Sequence, residues 1–400
     1  MKKLMLLGGL RYLIPVIEAA HKEGCHVITC DYLPDNIAHK YSDEYHNLSI
    51  TDKEAVLELA RRLGIDGIMS FAVDPGVTTA AYVAENLNLP FAGSYKSVGI
   101  LQNKALFRDF LTVNNFNVPK AKGCRVYDKS LEDDILNFNW PVIVKPVDSA
   151  GSKGVTRIDQ PDKLKEAFGF ARSFSLSGQV IIEEYIEKRG YSSDSDGFSV
   201  NGKLECVSFN SQYFDDEASN PYTPSAYSWP SSFTQGQEAE LKSELQRLIT
   251  LLNLKTSVYN IEVRVGKNDK PYIMEFTPRG GGNRLSEMVR YGSGVDFVTN
   301  AVRGAIGLPV DNFSSLDFDG YWAEIILHSN KGGKFDSLQI DEKLRKNIVE
   351  EDLWLAKGDP VNSFQGANDA IGTLVFKFET QNEMESALKN RSKWINVIIS

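Results

Sequence analysis

The sequence predicts a multidomain chain of α/β and α+β class. Over roughly the first hundred residues, short apolar segments alternate with helical patterns, which is typical of a parallel sheet covered by helices. Beyond residue 103, strands pair in hairpins around a glycine-rich segment and several helices. The final part follows a proline-containing boundary and mixes strands with a closing helix. We therefore expect three domains, over residues 1–102, 103–308 and 309–400.

Length, composition and charge limit the function classes. The chain has 400 residues, of which 42% are hydrophobic, so there is apolar material for more than one core. A net charge of −9 argues against nucleic acid as a partner, because sequence-independent binding needs a basic face. No stretch reaches the roughly 18 apolar residues of a membrane span, so no membrane contact is expected. The four cysteines lack CxxC spacing, which favours reduced thiols in a cytoplasmic protein over a zinc site.

The first domain should alternate strands with helices. Strands are expected at 4–7, 26–30, 67–71 and 89–93. Gly8 and Gly9 after the first strand and Asp31 after the second resemble a nucleotide-binding Rossmann unit, but the complete GxGxxG is missing. An oxidoreductase that binds NAD through this domain is therefore the least favoured alternative.

The middle of the chain predicts a different mixture of elements. A helix should begin after Asn103 and end before Pro119, and Asn201-Gly202 is a strong hairpin signal. Further elements are expected as a strand at 141–146, a glycine-rich loop at 149–155, a helix near 162–174, a strand at 179–186, and helices near 238–253, 284–291 and 295–306. Residues 211–235 are rich in Ser, Pro, Tyr and Asp without a clear period, so we expect a long ordered loop or lid there.

A later hairpin carries the main candidate for metal binding. With a turn at residues 268–269, Gly266 pairs with Pro271, and Glu262 lies directly opposite Glu275. Two carboxylates about 5 Å apart repel by roughly 3 kcal/mol at an effective dielectric constant of about 20. A divalent cation with oxygen ligands, typically Mg²⁺ shared with substrate phosphates, would turn this repulsion into a binding site.

The alternative is a solvated face on which Arg264 screens the two glutamates. Because Arg279 and the glycines at 280–282 lie just beyond the hairpin, we favour the metal site. Lys145 lies inside an otherwise apolar strand and needs a counter-anion. The glycine-rich loop after it offers backbone N–H groups to phosphate oxygens. The histidines form no catalytic pattern, and we expect His328 to be structural.

Taken in order, these segments resemble the ATP-grasp superfamily of carboxylate–amine ligases. The matching pieces are Asn103-Lys104, PVIVKP (141–146), SAGSKGV (149–155), IIEEYI (181–186), the hairpin with Glu262, and EFTPRGGG (275–282). The resemblance covers roughly residues 1–310. The remainder resembles the small C-terminal domain of the branch that holds amino-acid ligases and carbamoyl-phosphate-synthase-like proteins. The resemblance implies an ATP-grasp fold with a Rossmann-like pre-ATP-grasp domain and a mobile lid at about 118–187.

The resemblance also implies roles for individual residues, with ATP and Mg²⁺ as cofactors between two antiparallel sheets. The implied sites are phosphate contacts by Lys104 and Lys145, a phosphate loop with Ser149, Gly151, Ser152 and Gly154, an adenine-reading hinge at Glu183, Glu184, Tyr185 and Ile186, and the metal ligands Glu262, Glu275 and Thr277. Lys145 and Arg279 would be catalytic. Thr277 stands where the family often has Asn. The ribose-binding acid is replaced by Tyr191, so Asp194 or Asp196 is expected to substitute for it.

The activity that the resemblance implies is ATP-dependent ligation. The γ-phosphate would pass to a substrate carboxylate, and an amine would displace phosphate from the acyl phosphate to form an amide or peptide bond. The expected partners are small-molecule carboxylates and amines, and many relatives pair as homodimers. Further candidate substrate contacts, each also explicable as a surface charge, are Asp215, Asp216, Glu217, Arg284 and Arg290. Two alternatives stay open: a carboxylate such as bicarbonate, or nucleotide binding without ligase turnover.

Overall fold

The computed structural model describes residues 1–149, 151–313 and 315–400. Ala150, in the expected phosphate loop, and Ser314, at the expected domain boundary, lie outside the described residues. The strands of the described part form five sheets, of which the N-terminal one is parallel and the others are antiparallel. Each helix in those residues is too short or too polar to span a bilayer.

The N-terminal sheet confirms the predicted α/β unit. Its elements are β1 (Lys3–Leu7), α1 (Ile14–Lys22), β2 (His26–Asp31), β3 (Glu44–Asn47), α2 (Lys53–Leu63), β4 (Gly67–Ser70), α3 (Asp74–Leu87) and α4 (Tyr95–Gln102). The strand order is β3-β2-β1-β4, and α1 covers one face of the sheet while α2 and α3 cover the other. The strand expected at 89–93 was wrong, because Pro90 has no N–H to donate and the chain passes from α3 to α4 without a strand.

The next segment forms a helix and a small antiparallel sheet. Its elements are α5 (Lys104–Val113), β5 (Ala121–Cys124), α6 (Lys129–Leu136), β6 (Val142–Pro146), β7 (Thr156–Ile158), α7 (Leu164–Ser173) and β8 (Val180–Glu184). The strand order is β5-β8-β6-β7, and we call this sheet the β5–β8 sheet. Leu131 of α6 and Phe168 of α7 pack against Val144 on one face. Alternation along the strands therefore puts Lys145 and Glu183 on the opposite face.

The middle of the chain supplies a second antiparallel sheet. Its elements are β9 (Ser193–Val200), β10 (Lys203–Val207), β11 (Ser211–Phe214), β12 (Pro224–Trp229), α8 (Gln235–Leu251), β13 (Ser257–Val265), β14 (Pro271–Thr277), α9 (Leu285–Ser293) and α10 (Phe297–Ala305). The order β10-β9-β13-β14 defines the central sheet. Helices α5 and α8 pack on its apolar face against Ile261 and Phe276, so the alternate, polar side chains point to the other face.

The predicted pairing of Glu262 with Glu275 is confirmed, although the hairpin reaches it by a different path. Near the turn, Val265 pairs with Pro271, which is one residue away from the predicted register. A β-bulge at Met274 then adds one residue to β14 and restores the expected pair.

The remaining elements belong to two further sheets. They are β15 (Tyr321–Leu327), β16 (Gly333–Ile340), α11 (Glu342–Arg345), β17 (Ile348–Leu353), β18 (Pro360–Val361), β19 (Gly372–Phe378), α12 (Gln381–Lys389), α13 (Arg391–Trp394) and β20 (Ile395–Ile399). One sheet has the order β18-β16-β20, and the other, called the C-terminal sheet, has the order β11-β12-β15-β19-β17. The loop expected at 211–235 was therefore wrong, because β11 and β12 form a hairpin that joins β15.

A glycine after β14 joins the central sheet to the N-terminal domain. The Gly280 carbonyl oxygen accepts a hydrogen bond from the Ala72 N–H at 3.1 Å. A β-carbon at Gly280 would overlap the ring of the buried Phe71. At Gly282, by contrast, the nearest atom to such a carbon lies 3.9 Å away, on Tyr12. Position 280 therefore accepts only glycine without displacing an aromatic ring.

Gly280→Ala should lower the free energy of unfolding by about 1–3 kcal/mol, the usual cost of forcing extra atoms into a packed core. Gly282→Ala is the matched control and should stay close to the parent protein, because its new methyl group meets only ordinary contacts. Urea denaturation followed by circular dichroism measures both variants. Equal stability of the two would contradict the close packing of Phe71 on Gly280.

Candidate active site

Polar side chains lie in two rows on one face of the central sheet. Because β9, β13 and β14 are adjacent and antiparallel, their alternate residues meet across the strands. One row contains Asp194, Glu262 and Glu275. The other row contains Asp196, Asn260 and Thr277. Neighbouring carboxylates in such rows repel one another unless cations balance them.

Basic side chains contact both glutamates of the first row. Nζ of Lys104 lies 3.0 Å from Oε1 of Glu275 and donates to the Ser149 carbonyl oxygen at 3.2 Å. Nη2 of Arg264 lies 2.7 Å from Oε1 of Glu262, which is the contact that the solvated-face alternative predicts. Burial opposes the charge of Lys104, but Glu275 outweighs it and raises the pKa of the lysine. The side chains of Glu262 and Glu275 remain 28% and 42% exposed, so a ligand can reach both.

The two aspartates of β9 already have protein donors. Asp194 accepts from the Asn260 amide at 2.8 Å and from the Tyr227 hydroxyl at 3.1 Å. Asp196 is buried and accepts from the Gly281 N–H at 2.9 Å. Desolvation raises the pKa of Asp194 to about 7 and that of Asp196 to about 6. The ribose contact expected for one of them stays a prediction.

Three charged side chains form a buried network between the two sheets. Nζ of Lys145 lies 2.6 Å from Oε1 of Glu183, and Nε of Arg108 lies 2.9 Å from Oε2 of the same carboxylate. Arg108, on α5, also donates from Nη1 to the Met274 carbonyl oxygen of β14 at 2.9 Å. Burial alone would raise the pKa of Glu183, but Arg108 and Lys145 outweigh it and lower that pKa to about 2. Arg108 thus connects the β5–β8 sheet to the central sheet. We call the space between these two sheets the cleft.

The glycine-rich loop between β6 and β7 adopts left-handed backbone conformations. Gly151 and Gly154 have φ angles of +67° and +72°, and Ser152 between them has +57°. The Ser152 hydroxyl donates to the Tyr222 carbonyl oxygen at 3.0 Å, which joins the loop to the segment between β11 and β12. Backbone N–H groups in such conformations form concave sites that suit phosphate oxygens.

The four expected hinge residues differ in their contacts. Glu183 faces Lys145, as described above, and β8 ends at Glu184, two residues earlier than predicted. Oε1 of Glu184 accepts hydrogen bonds from the N–H and the side-chain amide of Asn139, at 2.8 and 3.0 Å. Tyr185 and Ile186 follow the strand and lead to the central sheet. Glu184 therefore holds a neighbouring loop, and Glu183 is the one of the four expected hinge residues that contacts Lys145.

Arg279 is held by an aspartate of the N-terminal domain. Its Nη2 lies 2.8 and 2.9 Å from the two carboxylate oxygens of Asp74, and its Nε donates to Oδ1 of Asp74 at 3.1 Å. Such two-pronged contacts are among the stronger ion pairs. The Arg279 side chain is only 10% exposed. Asp74 therefore fixes where the guanidinium lies beside the carboxylate rows.

The further candidate substrate contacts separate into two groups. Asp216, Glu217 and Arg290 are exposed, as the surface alternative predicts. Asp215 is half-buried, and its Oδ2 lies 3.0 Å from Nε2 of His328. The other ring nitrogen of His328 lies 2.7 Å from the Ile326 carbonyl oxygen, which agrees with a structural histidine. Arg284 is buried among acidic side chains.

Sequence reasoning missed Arg108 and Asp74. Arg108 lies four residues after Lys104 and next to apolar residues that α5 buries, so the available signal was a charge on the apolar face of an amphipathic helix. Asp74 begins α3, where acidic residues are common because they favour the helix dipole. Its contact with Arg279, far along the chain, gave no local signal.

The donor set fits a divalent cation that is shared with a ligand. Glu262 and Glu275 offer carboxylate oxygens, which are the ligands that Mg²⁺ prefers. Among the described residues, no three His, Cys, Asp or Glu side chains converge to enclose a metal. One or two carboxylates completed by substrate phosphates is the usual form of a Mg²⁺ site. Thr277 belongs to the second row and is buried.

A comparison with protein families identifies the domain that carries this site. Residues 138–287 match the family model described as an ATP-grasp domain. The chain thus contains an ATP-grasp domain, and the ATP-grasp fold predicted from the order of the motifs is confirmed.

The relatives of known activity match part of the chain. A formate-dependent phosphoribosylglycinamide formyltransferase from Synechococcus sp. (strain WH7803) is 33% identical over 193 residues, which span 46% of this chain and 48% of that protein. The chain thus covers about half the length of the relatives that it matches.

Solved structures resemble the whole chain. An L-amino acid ligase from Bacillus licheniformis has a TM-score of 0.81 and 19% identity over 100% of this chain and 99% of that one. A phosphoribosylglycinamide synthetase from Anaerococcus prevotii has a TM-score of 0.76 and 20% identity over 100% of both chains. At these identities the likeness shows the fold alone.

Glu183→Gln should remove a stability contribution that depends on pH. The pKa of Glu183 is lowered from 4.5 to about 2 in the folded state, so its contribution is full above about pH 4.5 and is lost as pH falls toward 2. A shift of this size corresponds to about 3 kcal/mol at neutral pH. Urea denaturation from pH 7 down to pH 3 should show a lower and flatter stability profile for the variant. Glu184→Gln, at the neighbouring half-buried position, is the control, and an unchanged acid sensitivity of Glu183→Gln would contradict the network.

Proposed function

We propose that this chain is an ATP-dependent carboxylate–amine ligase that forms an amide or peptide bond and releases ADP and phosphate. The main supporting observation is the meeting of anionic and cationic groups across the cleft. Glu262 and Glu275 lie side by side on the central sheet, and Lys104 reaches Glu275 from α5. Lys145 faces the same cleft from the β5–β8 sheet. An ATP-grasp domain match over this region supports the nucleotide assignment.

The first proposed step transfers the γ-phosphoryl group of ATP to a substrate carboxylate. A carboxylate oxygen forms a bond to phosphorus, the bond from phosphorus to the β-phosphate oxygen breaks, and ADP leaves. Lys104, Lys145 and Arg279 would offset the charge of the transferring group, which is the main contribution a protein makes to such a step. In the second step, an amine nitrogen attacks the acyl carbon, phosphate leaves with the bonding electrons, and the nitrogen loses a proton.

Mg²⁺ is the metal that the donor set suits. Glu262 and Glu275 would hold it, and the Thr277 hydroxyl would be a weaker third ligand. When bound, Mg²⁺ neutralises phosphate charge and orients the triphosphate. Lys104 would then exchange its contact with Glu275 for a phosphate oxygen. The chain's own cations would thus change partners when nucleotide binds.

The proposed intermediate needs protection from water, because an acyl phosphate hydrolyses. The glycine-rich loop could provide it, since Ser152 is hydrogen-bonded to Tyr222, in the segment between β11 and β12. Closure of such loops is a common way to exclude water from a reactive intermediate. The cytoplasmic location and a homodimer stay predictions within this proposal.

Two alternatives are kept with the proposal. The first has the same fold and phosphorylates or ligates a carboxylate such as bicarbonate. The second is a nucleotide-binding protein without ligase turnover, which is favoured by a threonine at position 277 and by the occupation of Glu262 by Arg264.

The deciding experiment measures ADP release from ATP and Mg²⁺ over a panel of carboxylates, each with and without added amines. Release that needs both an organic carboxylate and an amine supports the ligase. Release with bicarbonate alone supports the first alternative. Nucleotide binding by calorimetry without ADP release on any member of the panel supports the second.

Glu275→Gln should lower ADP release by about 100–1,000-fold, the usual effect of removing one preorganised charge from a reacting centre. The fold should survive, because the amide keeps the size of the side chain. Glu244→Gln is the matched control, since Glu244 lies on α8, which packs on the far face of the central sheet. Mg²⁺-dependent nucleotide affinity, measured by calorimetry, should fall in the first variant only. Full activity of Glu275→Gln would refute the metal assignment.

Lys145→Ala should raise the KM for ATP by about 10–100-fold, the cost of losing a hydrogen bond between charged groups. Glu183 keeps Arg108 as a partner in this variant, so the protein should still fold. Steady-state kinetics at varied ATP concentration measures the change. An unaltered KM for ATP would separate Lys145 from the phosphate site.

A further inference from the structure

A second group of charged side chains lies outside the carboxylate rows, beside the C-terminal sheet. Glu324 is on β15, Glu350 is on β17, and Glu287 is in the first turn of α9. Two of these carboxylates, Glu350 and Glu287, contact the guanidinium of Arg284. Its Nη1 lies 2.6 Å from Oε1 of Glu350, and its Nη2 lies 3.1 Å from Oε1 of Glu287. With all groups ionised, negative charge exceeds positive charge in this cluster.

Glu324 is the member of the cluster that lacks a partner. Its side chain is fully buried, and within the described ranges neither of its carboxylate oxygens has a hydrogen-bond donor. Leaving a buried polar group unpaired costs roughly 1–3 kcal/mol, and more for a charged group. Arg284 makes no hydrogen bond to Glu324. It donates to Glu287, to Glu350 and, at 3.1 Å, to the Thr373 hydroxyl. The contacts within the described residues therefore do not account for a buried carboxylate at position 324.

Glu324 faces the ATP-grasp part of the chain and not the core of the C-terminal sheet. Trp322 and Ile326 lie two residues before and after Glu324 on β15, so they share its face of the sheet. Both belong to the same apolar cluster as Leu285 and Met288 of α9. Ala323 and Ile325 belong instead to the core on the other face. Glu324 therefore lies on the face of the C-terminal sheet that α9 covers.

A tyrosine beside Glu324 is hydrogen-bonded to the carboxylate rows. Tyr227 pairs with Glu324 across β12 and β15, so the two side chains lie next to each other on one face. The Tyr227 hydroxyl donates to Asp194 at 3.1 Å and accepts from the Asn283 amide at 3.1 Å. The Tyr12 hydroxyl, from the N-terminal domain, donates to Oδ1 of Asn283 at 3.2 Å. A single tyrosine therefore separates Glu324 from the row that contains Glu262.

We propose that Glu324 binds the ammonium group of a positively charged amine substrate, an inference that rests on the ligase activity proposed above. An ammonium group has three N–H donors and no acceptor, which matches two carboxylate oxygens without donors. The excess of acidic groups around Arg284 adds attraction for a cation. A metal ion fits less well, because no three acidic, His or Cys side chains in the described ranges converge to hold one. Arg284 is held by Glu287, Glu350 and the Thr373 hydroxyl, so it is a structural cation beside Glu324.

Protonation gives this proposal a second readout. Burial raises the pKa of Glu324, and a cation arriving beside it would lower that pKa again, because opposite charges favour ionisation. Binding of an ammonium group should therefore release protons to the buffer. Calorimetry in two buffers of different ionisation enthalpy measures that release.

The first test uses Glu324→Gln, which removes the charge and keeps the size. Glu351→Gln, an exposed carboxylate on β17 of the same sheet, is the matched control. Hydroxylamine is uncharged at neutral pH and traps an acyl phosphate as a hydroxamate, so it reports the first step without an ammonium group. With the carboxylate that the parent uses best, hydroxamate formation should be equal in all three proteins. The KM for glycine, L-alanine or ethanolamine should rise about 10–100-fold in Glu324→Gln alone.

The outcomes separate this inference from the proposed function. No hydroxamate from any carboxylate with the parent would refute the ligase, whereas an unchanged KM for amines in Glu324→Gln would refute the ammonium site. A second measurement needs no variant and no turnover. With MgADP present, calorimetry should show that L-alanine or glycine binds the parent and releases protons, while L-lactate and glycolate, with hydroxyl in place of ammonium, should not compete. Equal binding of the hydroxy acids, or no binding by any amine of the panel, would overturn the proposal.

Discussion

The balance of charge between facing elements is the constraint on which the rest of the site depends. A β-sheet fixes its cross-strand neighbours, so Asp194, Glu262 and Glu275 cannot move apart to relieve their repulsion. The relief comes from Lys104 on α5 and from Arg264, two residues after Glu262 on the same strand. Carboxylates held close together against their repulsion are stabilised when a ligand supplies additional positive charge. This is a reason to expect nucleotide and metal at this face and not elsewhere on the sheet.

Structure that depends on residues close together in the sequence was predicted better than structure that depends on residues far apart along the chain. The parallel N-terminal sheet and the Glu262–Glu275 pair follow from local periodicity, and the β-bulge at Met274 left that pair intact. The strand β3 was missed because its sequence, EYHN, has no apolar alternation. The β11–β12 hairpin was missed because it gains its neighbour, β15, only after the intervening chain has folded.

The site residues show the same division. A charge inside an apolar strand predicted a role for Lys145, and the spacing of the glycines predicted the loop that follows it. The bond between Arg279 and Asp74 joins two domains, and the donors to Asp194 come from β12 and β13, so neither could be inferred from neighbours along the chain. The ribose contact expected of Asp194 or Asp196 stays a prediction, and the protein partners of both aspartates are remote in sequence. Contacts between residues that are near in the sequence can be predicted, and contacts that join distant elements cannot.

The order of strands in the C-terminal sheet has a consequence for dissecting this protein. Its edge strand β11 and the adjacent β12 come from the middle of the chain, while β15, β17 and β19 come from the end. A fragment that stops near residue 308 would leave the inner edge of β12 without its ladder and would uncover Trp229, which is now fully buried. Because Tyr227 on that strand holds Asp194, such a fragment would lose the geometry of the carboxylate rows as well. The terminal segment is therefore a structural part of the unit that carries the carboxylate rows, and we expect neither part to fold correctly without the other.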